Sequence, residues 1–265
     1  MSTHHFDRYI DASSAVHALD ARIKLVFTLL FVLVLALLPR GAWLALALAA
    51  LVLWLAVVQA RVGLRVIIGR SFVAAPFALI GVTLLFSRTG TVLFDVPVGF
   101  ATLQVTDTGV LAFATLLVKS WLSVQASLLL MATTHVADVL VALRALRLPA
   151  TLVAILGFAY RYLFVMTDEA QRMLRARDCR SATLAGRRAG GTIRWRATVT
   201  GRMAGTLFLR AYERSERIYL AMLARGYDGE PRTLGIRPLQ PADRATLAFG
   251  AASLLSILWL GLVVR

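Results

Sequence analysis

The stretch Pro149–Arg180, PATLVAILGFAYRYLFVMTDEAQRMLRARDCR, decides how this chain is read. Its first part, Ala150–Thr167, is apolar apart from Arg161, and hydropathy alone reads it as a membrane span. Its second part turns polar, with Asp168, Glu169, Arg172, Arg175, Arg177, Asp178 and Arg180. Arg161, Asp168, Arg172 and Arg175 recur at helical spacing, and Asp168–Arg172 is an acid-first i,i+4 pair. The period predicts one long helix, up to ~48 Å at 1.5 Å per residue. The flanking charge argues against a crossing. Residues 169–244 hold sixteen arginines against seven acids, a net +9. Basic segments next to membrane spans belong on the cytoplasmic side. A preceding span that already ends inside would, with another crossing at 150–167, leave those arginines outside. The expected placement is therefore a helix lying along, or slanting under, the inner leaflet.

Working back toward the N-terminus, composition sets the class. Of 265 residues, 59% are hydrophobic and the mean hydropathy is +0.75, against roughly 45–50% apolar in soluble domains. This is the profile of an integral membrane protein. The net charge is +15, from 29 basic and 14 acidic residues, and only Lys24 and Lys119 are lysines. Such basicity fits nucleic acid in a soluble chain; in a membrane chain it fits cytoplasmic loops, so no nucleic-acid partner is expected. Residues 1–24 read as an uncleaved cytoplasmic tail. His4, His5 and Asp7 within it form a possible metal-binding cluster, but clustered polar residues near a terminus more often make a solvated tail.

Apolar runs at Leu25–Leu38, Ala42–Val58, Phe72–Phe86 and Gly109–Ala132 predict four spans, with Pro39-Arg40-Gly41 turning the first hairpin. Gln59–Ser71 carries Arg61, Arg65 and Arg70 with no acid, and belongs inside. Ser87–Thr108 reads as a polar outer loop. Thr133-Thr134-His135 opens a short amphipathic helix at the membrane surface, with Val136, Val139, Leu140, Leu143 and Leu146 on one face. Leu184–Thr200 is an Arg- and Gly-rich turn. Trp195, between Arg194 and Arg196, suits either lipid headgroups or a neighbouring helix. Ala245–Val264 is a fifth span that leaves Arg265 outside. The expected fold is thus an all-α membrane protein with about five transmembrane helices and about three cytoplasmic or interfacial amphipathic helices. Its regions are a tail over 1–24, four spans over 25–132, a cytoplasmic region over 133–244 and a last span over 245–265.

Few residues can carry chemistry. Lys119 lies near the middle of the fourth span, where an unpaired lysine costs about 2.5–3.5 kcal/mol and is by default a functional candidate. Its bland alternatives are snorkelling or bonding backbone carbonyls, and the absence of Asp and Glu from the predicted spans favours them. The single cysteine, Cys179, excludes an internal disulfide, and with no histidine near it in sequence and no motif around it, it is not read as a catalytic nucleophile. No Walker A loop, Gly-x-Ser-x-Gly, CxxC or HExxH occurs. No enzyme activity, cofactor or metal set is expected of the chain.

Toward the C-terminus the sequence sharpens again, at Arg210–Gly229, RAYERSERIYLAMLARGYDG. Glu213 and Arg217 form an acid-first i,i+4 pair, no breaker follows through Ala224, and Gly226 supplies a stop. Arg225 therefore projects its guanidinium from a helix C-terminus, where carbonyls already attract cations. The full pattern RS-x-R-x-x-x-AM-x-ARG-x-x-G resembles the second signature of the transmembrane T component of energy-coupling factor (ECF) transporters, and looks most like the CbiQ/NikQ type. HALDARIKL, His17–Leu25, resembles that family's entry motif H-x-L-D-x-R-x-K. P-x-x-L-V-x-x-L-x-F-x-YRY followed by D-E-x-x-R-M-x-R-A-R, within 149–177, resembles the second of its three coupling helices. The family's first signature, close to R-A-R-x-A-R-G, corresponds here to Arg175–Ser181. Arg180 fills the key position, with Cys179 and Ser181 for alanine and glycine; Arg177 also follows an alanine and is the alternative. Serine is a weaker stop than glycine, which leaves the helix end open.

The resemblance spans Asp7–Gly229 and is dense in 133–180 and 210–229. It implies a scaffold in the bacterial inner membrane that couples two cytosolic ATPases to a small membrane substrate-binding subunit of the CbiM type, for uptake of cobalt or nickel. Ala224, Arg225 and Gly226 would dock in one ATPase, and Cys179, Arg180 and Ser181 in the other. The competing readings are a T component for a vitamin, and a stand-alone secondary transporter or channel. The latter needs polar groups or broken helices at mid-membrane, for which Lys119 and Pro76 are the only material.

Overall fold

The computed structural model describes residues 9–10, 12–72, 81–86, 91–98, 101–181, 192–229 and 241–263. His4, His5, Asp7, Pro76 and Arg265 lie outside these residues, as do much of Phe72–Phe86 and of the loops 184–200 and 230–244. Ten helices are described: α1 (Ala15–Ala18), α2 (Ala21–Leu37), α3 (Trp43–Gln59), α4 (Leu64–Ser71), α5 (Thr83–Phe86), α6 (Asp107–Thr133), α7 (Val136–Ala145), α8 (Ala150–Arg180), α9 (Ile193–Ala224) and α10 (Pro241–Val263). The chain divides into two compact units, one of residues 147–235 and one of residues 2–146 with 236–265.

The larger unit is built on apolar helices whose ends are written in the sequence. The Asp20 carboxylate accepts from the Arg22 N–H at 2.9 Å and caps α2. Gly41, at φ +78°, turns the chain from α2 into α3. Thr106 caps α6 through the N–H of Gly109. Helix α2 packs on α6, α7 and α10, and α3 packs on α6 and α10. Phe31, Leu35, Leu46, Val57 and Leu122 are almost wholly buried between them. Leu29, Leu33, Trp54, Leu55 and Leu255 on the same helices point outward. Apolar residues on both the packed and the outward faces are what a surrounding lipid solvent selects. Small residues permit the close crossings: a Cβ on Gly261 of α10 would collide with Leu38 and come within 3.2 Å of the Ala45 Cβ.

Among the described residues, three helices are long and apolar enough to cross a membrane, within 107–133, 150–180 and 243–263, and Trp43–Gln59 is a shorter apolar helix. The all-α expectation needs one correction. Val92–Val98 (β1) and Ala101–Thr106 (β2) pair antiparallel within the region read as a polar loop. Val92, Val96, Val98, Thr102 and Val105 are β-branched, which favours extended backbone. Leu93 is left over at an irregularity between Val92 and Phe94. The hairpin was masked in the sequence by its Asp, Gly and Pro.

The smaller unit contains α8 and α9. Helix α8 runs unbroken from the apolar Ala150–Thr167 into the charged 168–180. Among its described residues only Ala154 is buried, and α9 buries none.

Candidate functional site

Both arginine-bearing helix ends are formed, and by different means. Helix α9 ends at Ala224. The Tyr227 N–H donates to the Met222 carbonyl (3.0 Å), and the Gly226 N–H to the Leu223 carbonyl (2.9 Å). This is the Schellman arrangement, and Gly226 sits at φ +77° as it requires. The Tyr227 hydroxyl donates to the Gly229 carbonyl at 3.0 Å and extends the turn. The Arg225 side chain is exposed and has no partner among the described residues.

Helix α8 ends at Arg180 without a glycine. Ser181 is its C-cap. Its N–H donates to the Arg177 carbonyl at 2.9 Å, and its hydroxyl donates to the same carbonyl at 2.9 Å. The same hydroxyl-to-carbonyl bond occurs inside unbroken helices here, at Thr115 and Thr167, so at Ser181 it satisfies the hydroxyl without itself ending α8. Arg177 and Arg180 differ in state. Arg177 is half-buried and paired with the Asp178 carboxylate at 2.7 Å. Arg180 is exposed and has no partner among the described residues. Cys179 between them is exposed.

The expected Asp168–Arg172 pair does not form; Arg172 turns instead to Glu169, at 2.5 Å. An i,i+3 approach serves as well as i,i+4 on a helix surface, and Glu169 has a further attraction. Its other carboxylate oxygen accepts from Arg210 of α9. Glu169 is therefore shared by two guanidiniums, one from each helix. Its side chain is 15% exposed, against 60% for Arg172 and 54% for Arg210. The hydrogen bonds from Arg172 and then Arg210 hold its carboxyl below the usual glutamate range. Sequence pattern could place Glu169 on the polar stripe, but not the partner from another helix.

In the larger unit, Lys119 donates to the Leu38 carbonyl at 2.5 Å. Leu38 is the C-cap of α2, whose carbonyl has no intrahelical partner. The entry motif is likewise tied into the fold. The Lys24 ammonium donates to the carbonyls of His17 (3.2 Å) and Thr133 (2.9 Å). His17 Nε2 lies 3.0 Å from the Ile10 carbonyl, and the Ile10 N–H donates to the Ala132 carbonyl at 3.0 Å. Tyr9 stacks on His135 with ring centroids 3.6 Å apart. His17, Lys24 and Tyr9 thus fasten the N-terminal segment to the junction of α6 and α7. Tyr9 and His135 had no signal beyond their residue types. The polar atoms buried without a partner among the described residues are Gln125 Nε2 and Thr134 Oγ1. Gln125 Oε1 accepts from the Trp54 indole N–H at 3.1 Å.

Comparison with known proteins fits these features. The profile of the family described as "CbiQ: Cobalt transport protein" matches residues 12–234. The cobalt transport protein CbiQ of Rhodobacter capsulatus is 35% identical over 106 residues, which is 40% of this chain and 41% of that one. A putative fused cobalt transport protein CbiMQ of Methanocorpusculum labreanum is 29% identical over 223 residues, 82% of this chain and 35% of its own length. The energy-coupling factor transporter transmembrane protein EcfT of Listeria innocua is 29% identical over 235 residues, 84% of each chain. Four of the matched proteins are covered over only 35–48% of their own length. The profile spans well over half of the chain, and the chain therefore belongs to the CbiQ family, multi-pass transmembrane components of ECF transporters.

Proposed function

We propose that this chain is the coupling scaffold of an importer for a transition-metal ion, cobalt or alternatively nickel, in a bacterial inner membrane. One observation carries the coupling role: α8 and α9 each end in an exposed arginine that no described residue engages. A guanidinium is well suited to docking because its planar fork meets a carboxylate through two parallel bonds. Arg180, between Cys179 and Ser181, and Arg225, between Ala224 and Gly226, would each enter an acidic groove of one of two cytosolic ATP-binding subunits. Small flanking residues let the surfaces approach. ATPase closure would then move α8 and α9, and through them a small membrane substrate-binding subunit. ATP hydrolysis belongs to the partners. Cobalt is favoured by the matched family's description and by the CbiQ and CbiMQ relatives. The EcfT relative, aligned over 84% of both chains, supports the second reading, a T component serving a different substrate such as a vitamin.

The proposed topology places the N-terminus inside, with five spans. Regions 1–24 and 133–244 are cytoplasmic, 25–132 and 245–265 are membranous, and Ala150–Thr167 lies along the inner leaflet. A stand-alone transporter is disfavoured because Lys119, the intramembrane charge it would use, is bonded to the Leu38 carbonyl. Purification of the chain expressed with its ATPases tests the proposal. The ATPases co-purify, and Co²⁺ binds only when the substrate-binding subunit is present. Co²⁺ transport by the isolated chain in vesicles would overturn it. A reporter fused after Arg265 that reads cytoplasmic would overturn the topology.

A further inference from the structure

We propose that the chain holds a phospholipid with an anionic headgroup at the inner-leaflet end of its helix bundle, an acyl chain in a cavity between α2, α3 and α6 and the phosphate at Arg61. The choice of leaflet rests on the topology proposed above; the site itself rests on the larger unit alone.

The cavity has a volume of about 180 Å³. Ile23, Phe27 and Phe31 of α2, Leu53 of α3 and Ala126 and Leu129 of α6 make its apolar walls. Protein interiors leave few voids larger than a water molecule, and an apolar cavity of about 150 Å³ already takes up benzene and stays dry. This one has room for several methylenes of one chain. Its walls are backed and do not fold in to close it. The Phe27 ring lies against α10, where a Cβ on Gly250 would come within 2.8 Å of it. Phe31 is buried in the core. A bilayer offers the filling without loss: an acyl chain that enters stays in apolar surroundings, and the walls gain the dispersion contacts that an empty space denies them. The cavity takes in residues from the first half of α2, the last two turns of α3 and of α6, and Thr246 near the start of α10. In the proposed topology these four ends all lie on the cytoplasmic side.

The polar part of the site adjoins the cavity at Gln59, which borders both. Beside it runs a groove lined by Ser13, Ser14, His17 and Arg61. Helix α1 lines both spaces, through Val16 and Leu19 on the cavity and through Ala15 and Ala18 on the groove. Neither lining includes an acidic residue among those described. His17 is already committed, with one ring nitrogen on Ser14 and the other on the Ile10 carbonyl. Arg61 is the available cation: it is exposed, and no described side chain engages it. It sits at φ +54°, a conformation that favours glycine, so the backbone accepts strain where a guanidinium is placed. A guanidinium meets a phosphate through two parallel bonds. Arg65 and Arg70 share its acid-free segment, Gln59–Ser71, and add to the attraction for an anionic headgroup. Lys24, which also lines the cavity, bonds the carbonyls of His17 and Thr133 and no described carboxylate, so its positive charge is likewise unpaired by contact.

Retention of lipid tests the site. The full chain is reconstituted in vesicles of phosphatidylcholine doped with phosphatidylglycerol, extracted in mild detergent, and its bound lipid read by native mass spectrometry. The parent keeps a single phosphatidylglycerol through delipidation, in excess over phosphatidylcholine. Arg61→Asn, which puts a residue tolerant of positive φ in its place, lowers that preference about fivefold while a lipid is still held. Ala126→Phe fills the cavity and lowers retention of both lipids by about tenfold or more. Ala56→Met fills it from α3 with the same result, and decides the matter should Ala126→Phe fail to fold. A parent that keeps no lipid, a parent that keeps the two lipids alike, or equal retention in parent and variants overturns the site. The assay is blind to leaflet, so a cytoplasmic reporter after Arg265 overturns the topology and leaves the site standing.

Discussion

Replacing Arg180 by alanine tests the assignment of the first docking arginine, with Arg177 as its control. Both follow a small residue, and sequence alone leaves the choice open. They differ in what they already touch. Arg177 gives its guanidinium to Asp178 at 2.7 Å, on its own helix. Arg180 has no such engagement among the described residues and projects from the last turn, where the carbonyl ends of α8 reinforce its attraction to an acidic partner. Truncating one member of a buried, hydrogen-bonded charge pair costs about 2–5 kcal/mol. Arg180→Ala should therefore weaken ATPase binding by about 30-fold or more, since about 1.4 kcal/mol is tenfold. Arg177→Ala removes an exposed pair worth about 0–1 kcal/mol and should change binding by less than about fivefold. Arg225→Ala should match Arg180→Ala. Arg225→Lys should recover only part of the loss, because an ammonium lacks the planar fork. Folding should be spared in all of them, since both docking side chains are exposed. The assay titrates labelled ATPases onto the chain in nanodiscs, with metal uptake in cells alongside. A severe Arg177→Ala beside a silent Arg180→Ala would show that the register is wrong. Silence at both Arg180 and Arg225 would remove the coupling role.

Gly226→Ala forces a Cβ into φ +77° and should destabilise the end of α9 by about 1–2 kcal/mol, seen as faster hydrogen exchange at Ala224–Tyr227. Equal protection in the variant would contradict the cap geometry. Lys119→Met leaves the Leu38 carbonyl short of its donor and should cost about 1–2 kcal/mol of stability while uptake is retained; lost uptake with normal assembly would make Lys119 functional. Lys24→Met should cost more, about 2–4 kcal/mol, because two carbonyls, His17 and Thr133, lose the same ammonium; a thermal shift no larger than that of Lys119→Met would refute this. Gly261→Leu overfills the crossing of α10 with α3 and should lower the yield of folded protein, with Gly261→Ala milder at about 1–3 kcal/mol; normal yield and melting in both would mean that the helices separate freely there.

The helical part of the fold was legible because membrane helices announce themselves through length and hydropathy. Leu25–Leu38, Ala42–Val58 and Gly109–Ala132 fall within a few residues of α2, α3 and α6. The hairpin was not legible for a physical reason. A two-stranded ribbon needs only short runs of β-branched residues, and Asp95 and Pro97 within such a run, with Gly99 beside it in sequence, carry the same signal as a loop. The end of α8 was half legible. Sequence propensity ranks serine below glycine as a stop; Ser181 is the C-cap of α8, and the residues that follow it lie outside the described ones.

The candidate site divides along the same line, between what one helix encodes and what two helices share. Arg180 and Arg225 stand out in the sequence because each belongs to a local pattern at the end of its own helix. Glu169 does not, because its partner Arg210 lies 41 residues away and nothing in either stretch marks the other. The i,i+4 rule even pointed to the wrong acid, Asp168. Spacing rules describe one helix in isolation, where Asp168 and Glu169 compete for Arg172 on nearly equal terms. The second helix breaks that tie: by engaging one oxygen of Glu169, Arg210 fixes the carboxylate on the side from which Arg172 can reach its other oxygen. The same reasoning applies to Lys119 and Lys24. Each reads as an isolated charge in its own helix, and each is held by the backbone of another element, Leu38 for one and Thr133 for the other. Glu169, Lys119 and Lys24, whose partners cannot be read along one helix, are engaged by groups that only folded neighbours supply.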